Sequence, residues 1–266
     1  MKQTLVFSIA LAVAGHAAAA DRQRIRVLNV SLQPLLTLAS AALHGRGLER
    51  SDIVRCLGVG AGAGYAFYQS KRLAGDGHTG QALVIANLAA SMTRNVAAGR
   101  GAFSRIGLTF GPTWTEVSTP LDNTRGVHVE LSVSDTVAGA MMWHRSNRLM
   151  WRDGLLAFGK HGTYDYDHRH FRGYTIGVFP GTTFRTSQVT WHHETIHVIQ
   201  AIQADALEPP ACAWLRKCDE NKPQSWFQLK LGVLPAVGGG LSTLPDYPDR
   251  WNEIEATRLA EHRKPQ

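Results

Sequence analysis

The sequence predicts an α+β protein: an N-terminal small-residue-rich helical region, then a small antiparallel sheet, then a helical C-terminal part. Three observations predict it. Apolar residues recur at helical spacing over 27–98, the period drops to two from Arg105, and helical spacing returns after Pro180-Gly181. The 266 residues are 44% hydrophobic and only 18% charged, so the chain can bury a core and lacks the composition of a disordered one. Three cysteines cannot staple a fold of this length, which excludes a disulfide framework. The net charge of +7 is spread over single and paired Lys and Arg, with no basic run or basic helix face, so nucleic acid is not expected as a partner.

The first twenty residues read as a signal peptide. Met1-Lys2 is a short positive start, Thr4–Ala14 is apolar, and Ala18-x-Ala20 fits a small-x-small cleavage site with Asp21 as the first mature residue. The apolar stretch is shorter than the roughly 20 residues that cross a bilayer. Export to the periplasm, the cell envelope or the medium is therefore expected, with peripheral association with the envelope as one outcome. Neither 27–43 nor 229–244 is expected to span a membrane, because Asn29, Gln33, Pro34 and Lys230 interrupt them. An oxidising compartment would permit a Cys212–Cys218 bridge that leaves out Cys56; three buried thiols is the alternative.

Within the mature chain, Leu28, Leu32, Leu35, Leu36, Ala39 and Leu43 predict a first helix, and 81–98 predicts another that ends at Gly99. Between them, Gly58, Gly60, Gly62 and Gly64 offer GxxxG spacing for close helix packing, or the alternation of a thin strand. Gly58, Gly60 and Ala63 also match a dinucleotide loop, but no good strand precedes them, and that reading is set aside. Period-two alternation then predicts strands at 106–114, 127–133 and 174–178, with 140–143 and 155–158 completing the sheet. The regions 21–185 and 186–266 are expected to form one continuous domain.

One motif carries chemistry. His193-Glu194-x-x-His197 lies in a predicted helix that Thr186 or Ser187 can cap and that runs to about Ala206. Four residues apart, the two imidazoles project only about 40° apart around the axis and can share one zinc ion. Glu194 stands beside the first ligand, placed to take a proton from a water that the ion has made acidic. The H-E-x-x-H-x-x-G-x-x-H continuation, with its added glycine and third histidine, is excluded because those two places hold Gln200 and Gln203. The third ligand is therefore sought in a later helix, where Glu253 and Glu255 are candidates on different sides.

His193-Glu194-x-x-His197 followed by Asn252-Glu253-x-x-Ala256 resembles the gluzincin branch of the zincin metallopeptidases. His193-Glu194-Thr-Ile-His197-Val-Ile-Gln200 is also similar to H-E-x-x-H-x-x-Q segments of bacterial exported or membrane-associated zincins. The resemblance covers about 35 residues within 186–260, and Thr257 stands where many members have Asp. It implies one Zn²⁺ per chain, ligands His193, His197 and Glu253, Glu194 as general base, and a peptide or protein substrate.

The remaining polar clusters are less specific. The run Asp165-Tyr166-Asp167-His168-Arg169-His170 reads as a solvated loop, with a second metal site as the alternative. His192 points away from His193, and Tyr247 or His262 could stabilise an oxyanion. Two functions follow. One is an exported zinc-dependent metallohydrolase, most simply a peptidase. The other is a non-catalytic envelope or membrane-associated structural protein whose His/Glu cluster is structural or accidental.

Overall fold

The structure is a computed structural model, and it describes residues 22–44, 48–122, 125–161, 164–166, 169–171, 173–183, 187–209, 227–232 and 251–260. The expected signal segment 1–20, the Cys212 and Cys218 pair, Tyr247 and His262 lie outside the described residues. The chain opens with three helices, α1 (Arg22–Leu43), α2 (Arg50–Gly75) and α3 (Thr79–Ala97). Strands β1 (Arg105–Phe110), β2 (Thr113–Ser118) and β3 (Val127–Ser132) follow, then helix α4 (Val133–Arg145). Next come β4 (Arg148–Arg152), β5 (Leu155–Lys160), the short β6 (Tyr164–Tyr166) and β7 (Arg169–Phe171), β8 (Gly173–Ile176) and β9 (Phe179–Thr183). Helix α5 (Gln188–Asp205), strand β10 (Phe227–Lys230) and helix α6 (Trp251–Ala260) complete the order. This is the expected α+β organisation.

The glycine segment is helical, and its GxxxG spacing explains why. A Cβ on Gly60 would overlap the Pro34 backbone, and one on Gly64 would overlap the Asn29 carbonyl. Gly58 and Gly62 meet nothing as close. Two of the four glycines thus set the approach of α2 to α1, and neither the strand nor the dinucleotide reading holds. The larger apolar cluster, from Ile25 in α1 to Ala260 in α6, packs the helices against the strands.

The sheet is more complex than the sequence predicts. Among the described residues two four-stranded sheets form, ordered β1-β2-β3-β10 and β4-β5-β9-β8, and each contains one parallel pair: β3 with β10, and β5 with β9. Phe227–Lys230, expected within helical sequence, pairs with Val129–Ser132. The run Ala140–Trp143, expected as a strand, lies in α4. Ser132 caps that helix by accepting from the Asp135 amide, and Ala138 and Met142 supply an i, i+4 buried face that a period-two reading overlooks. Pro180-Gly181 falls inside β9, and the next helix starts at Gln188. At the two ends of the Asp165–His170 run, β6 and β7 pair antiparallel with Asp165 opposite His170, where a loop was expected.

Helix α3 closes the β1 edge with side chains. Asn95 donates to the Arg105 carbonyl, Ser91 accepts from the Gly107 amide, and Asn87 accepts from the Thr109 amide. Four helical residues rise about 6 Å and two strand residues about 6.6 Å, so an i, i+4, i+8 polar row matches every second strand residue. The edge donors are satisfied without another strand.

Candidate metal centre

Helix α5 begins where Ser187 accepts a hydrogen bond from the Thr190 amide at 3.2 Å, as an N-cap. Trp191, buried in the first turn, donates from Nε1 to Asp153 at 2.9 Å. Asp153 and Gly154 both have positive φ, 50° and 89°, and form the two-residue turn between β4 and β5. That hairpin pins the start of the helix, while Ile196, Val198, Ile199 and Ile202 bury its apolar side. His193 and His197 are left facing α6.

There the two imidazoles meet Glu253. His193 Nε2 lies 3.0 Å from His197 Nε2 and 3.1 Å from Glu253 Oε2, and His197 Nε2 lies 3.4 Å from the same oxygen. Their side chains are 18%, 12% and 13% exposed, enough for a solvent-side approach. Around a tetrahedral zinc ion with bonds of about 2.0–2.1 Å, neighbouring donors sit about 3.3–3.4 Å apart. The three separations observed here fit that spacing to within a few tenths of an ångström. Two imidazoles and one carboxylate are also a known catalytic donor set, which leaves a fourth position for water or substrate. His193, His197 and Glu253 thus form a gluzincin-like metal-binding cluster.

Electrostatics point the same way. Burial disfavours a charged His197, but its hydrogen bond to Glu253 and the charges of Glu194 and Glu253 push its pKa up to about 9. Burial also opposes ionisation of Glu253, and the two histidines nonetheless hold it well below the usual carboxylate range. The cluster therefore calls for a positive charge at its centre, which a divalent cation supplies.

Glu255 does not join the cluster. It lies two residues from Glu253, about 200° around α6, and is buried against Lys71 at 2.9 Å and Asn29 at 2.7 Å. Its Oε2 also accepts from Gln200 Nε2 at 2.7 Å, and Gln200 Oε1 sits 2.8 Å from His197 Nδ1. Because the Gln200 amide nitrogen is committed to Glu255 and to the Asn252 carbonyl, its oxygen must accept. When a cation takes the place of the Nε2 proton, His197 keeps its remaining proton on Nδ1 and offers the Nε2 lone pair to the centre shared with Glu253 and His193. Gln200 and Glu255 fill the orienting role that the Asp absent at Thr257 would have had.

No family model, no curated protein and no solved structure matches this chain.

Glu194, 5% exposed, packs under β8. Thr175 Oγ1 donates to its Oε2 at 2.5 Å, and a Cβ on Gly173 would collide with its carboxylate and with Thr190. Burial pushes the Glu194 carboxyl up, against the pull of His197 and His193. Gly173, Thr175, Gln200, Lys71 and Asn29 are not signalled as site residues by the sequence. Only Gln200 stands in a recognisable string, and nothing in that string defines its partner. His192 is half-buried and is not part of the cluster.

Proposed function

We propose that the protein is a zinc-dependent hydrolase of amide bonds, most simply a peptidase, exported from the cytoplasm by its N-terminal segment. The observation that carries this reading is the convergence of His193, His197 and Glu253 beside the buried carboxylate of Glu194. When held there, zinc supplies Lewis acidity that makes water a nucleophile near neutral pH and polarises a carbonyl.

The chain's own residues do the rest. Gln200 sets the tautomer of His197, and Glu253 balances the positive charge. Glu194 takes a proton from the attacking water and returns it to the leaving amine. Its raised pKa suits that exchange, because a carboxyl nearer neutrality both accepts and releases a proton readily. Thr175 and Gly173 fix the carboxylate in place. Among the described residues strand β8, which they belong to, ends its sheet, so an extended peptide can lie along it beside the site.

A purely structural clamp would need the three donors but not a desolvated carboxylate next to them, and Glu194 favours the catalytic reading. Replacing Glu194 with Gln keeps size and hydrogen bonding and removes the base. Hydrolysis of a denatured protein or peptide should disappear while metal content stays near one per chain. Retained hydrolysis would refute the proposed role.

A further inference from the structure

The sheet β1-β2-β3-β10 has its polar side inward. Toward the protein it presents Arg105, Trp114, Glu116, Glu130 and Lys230, which are neutralised in the pairs Arg105–Glu116, Arg94–Glu130 and Lys230–Asp205. Its other side carries three cross-strand rows: Ile106–Val117–Val127, Leu108–Thr115–Val129–Phe227, and Phe110–Thr113–Leu131–Leu229. Ile106, Leu108, Phe110, Val117, Val127, Phe227 and Leu229 are 40–58% exposed, and no charged side chain interrupts the rows. A sheet side that faces water is normally polar, so this one is built to be covered by something apolar.

We propose that this side docks the protein onto an anionic lipid bilayer. Charge supports that occupant. From β1 to β4 the acidic side chains Glu116 and Asp135 are buried and Asp122 and Glu130 nearly so, none more than 14% exposed. The exposed charged residues of the same stretch are Arg125, Arg145 and Arg148. Among the described residues from β1 to β4 exposed charge is thus carried by arginine alone, which complements anionic headgroups.

The apolar surface also continues past the sheet. Phe110 stacks on Trp151 with ring centroids 5.6 Å apart, and both line an apolar cavity of about 280 Å³ together with Leu83, Val84 and Leu108. An exposed tryptophan at the margin of such a surface suits the headgroup level of a bilayer.

Co-sedimentation of the full chain with vesicles tests the proposal. Vesicles of phosphatidylcholine mixed with phosphatidylglycerol should carry the protein down, and phosphatidylcholine alone should do so more weakly. The double variant Leu108→Asp/Leu229→Asp should lose at least about tenfold in partitioning, and Arg125→Glu/Arg148→Glu should lose the preference for phosphatidylglycerol. Binding to neither vesicle, or binding untouched by the leucine changes, would overturn the proposal. So would a wild-type dimer in analytical ultracentrifugation that those changes make monomeric, since a second copy would then cover the sheet. If the leucine variant does not fold, wild-type tryptophan emission decides: quenching by acyl-brominated phosphatidylglycerol vesicles supports docking, and its absence refutes it. Removing metal should leave partitioning unchanged, so this outcome is separate from that of the hydrolase reading.

Discussion

Gln200 accepts at 2.8 Å from His197 Nδ1 because its own amide nitrogen is tied to Glu255. One metal-site imidazole is thereby oriented through a chain that runs back to Lys71 on α2 and Asn29 on α1. The N-terminal helices, which contribute no ligand, thus set the geometry of the site on α5 and α6.

Replacing Gln200 with Ala should leave the three donors in place but free the His197 ring to rotate. Zinc affinity should fall roughly 10–100-fold. Chelator competition measures this, and the visible spectrum of the cobalt-substituted protein should broaden or shift. Unchanged affinity would mean that Gln200 only fills space.

Replacing Lys71 with Met should leave Glu255 ionised in the interior beside Asn29 and Gln200 alone. Breaking a buried pair from one side costs about 3–5 kcal/mol, to be read by urea unfolding of the metal-free protein. The double variant Lys71→Met/Glu255→Met should recover much of that stability. It should not fully recover metal affinity, because Gln200 keeps only the Asn252 carbonyl of its two anchors.

Gly173→Ala should push the Glu194 carboxylate away from Thr175. Activity should drop while metal content stays constant, which steady-state kinetics and metal analysis separate. Thr175→Val should act in the same direction and more mildly, since it removes one hydrogen bond without a clash.

His44 gives a pH dependence far from the metal. Burial, with Arg100, Lys230 and Arg94 nearby, lowers its pKa from 6.5 to about 4, against its hydrogen bond to the Ser40 carbonyl. The folded protein therefore holds His44 neutral where the unfolded chain protonates it. Its stabilising contribution is complete above pH 6.5 and is lost as pH falls through 4, by at most about 3 kcal/mol. Urea unfolding over this range should show the loss, and His44→Gln should flatten it.

Local patterns make much of this legible. A capped helix with His193 and His197 four residues apart, and a later helix holding Glu253, both follow from spacing alone. The glycines of α2 leave a packed helix and a thin strand both open in the sequence, and the Pro34 and Asn29 backbones beside Gly60 and Gly64 decide for the helix. The choice between Glu253 and Glu255 does not follow from spacing, because it depends on how α6 is rotated, and Lys71 on a distant helix sets that. Val133–Trp143 is ambiguous because its apolar residues fit both periods, and the Ser132 cap decides for helix. The α3 row Asn87–Ser91–Asn95 looks like an ordinary polar face until β1 is set beside it. Strand β10 gains its identity from β3, almost a hundred residues earlier.

His193, His197 and Glu253 lie together in a cluster that can coordinate a metal ion. Metal analysis of the purified chain, wild type beside His197→Ala, is the decisive experiment. About one zinc per wild-type chain and almost none in the variant is expected, with circular dichroism of the metal-free proteins alike. A wild-type chain without zinc, or a variant that keeps it in full, would show that these three side chains do not form a metal centre.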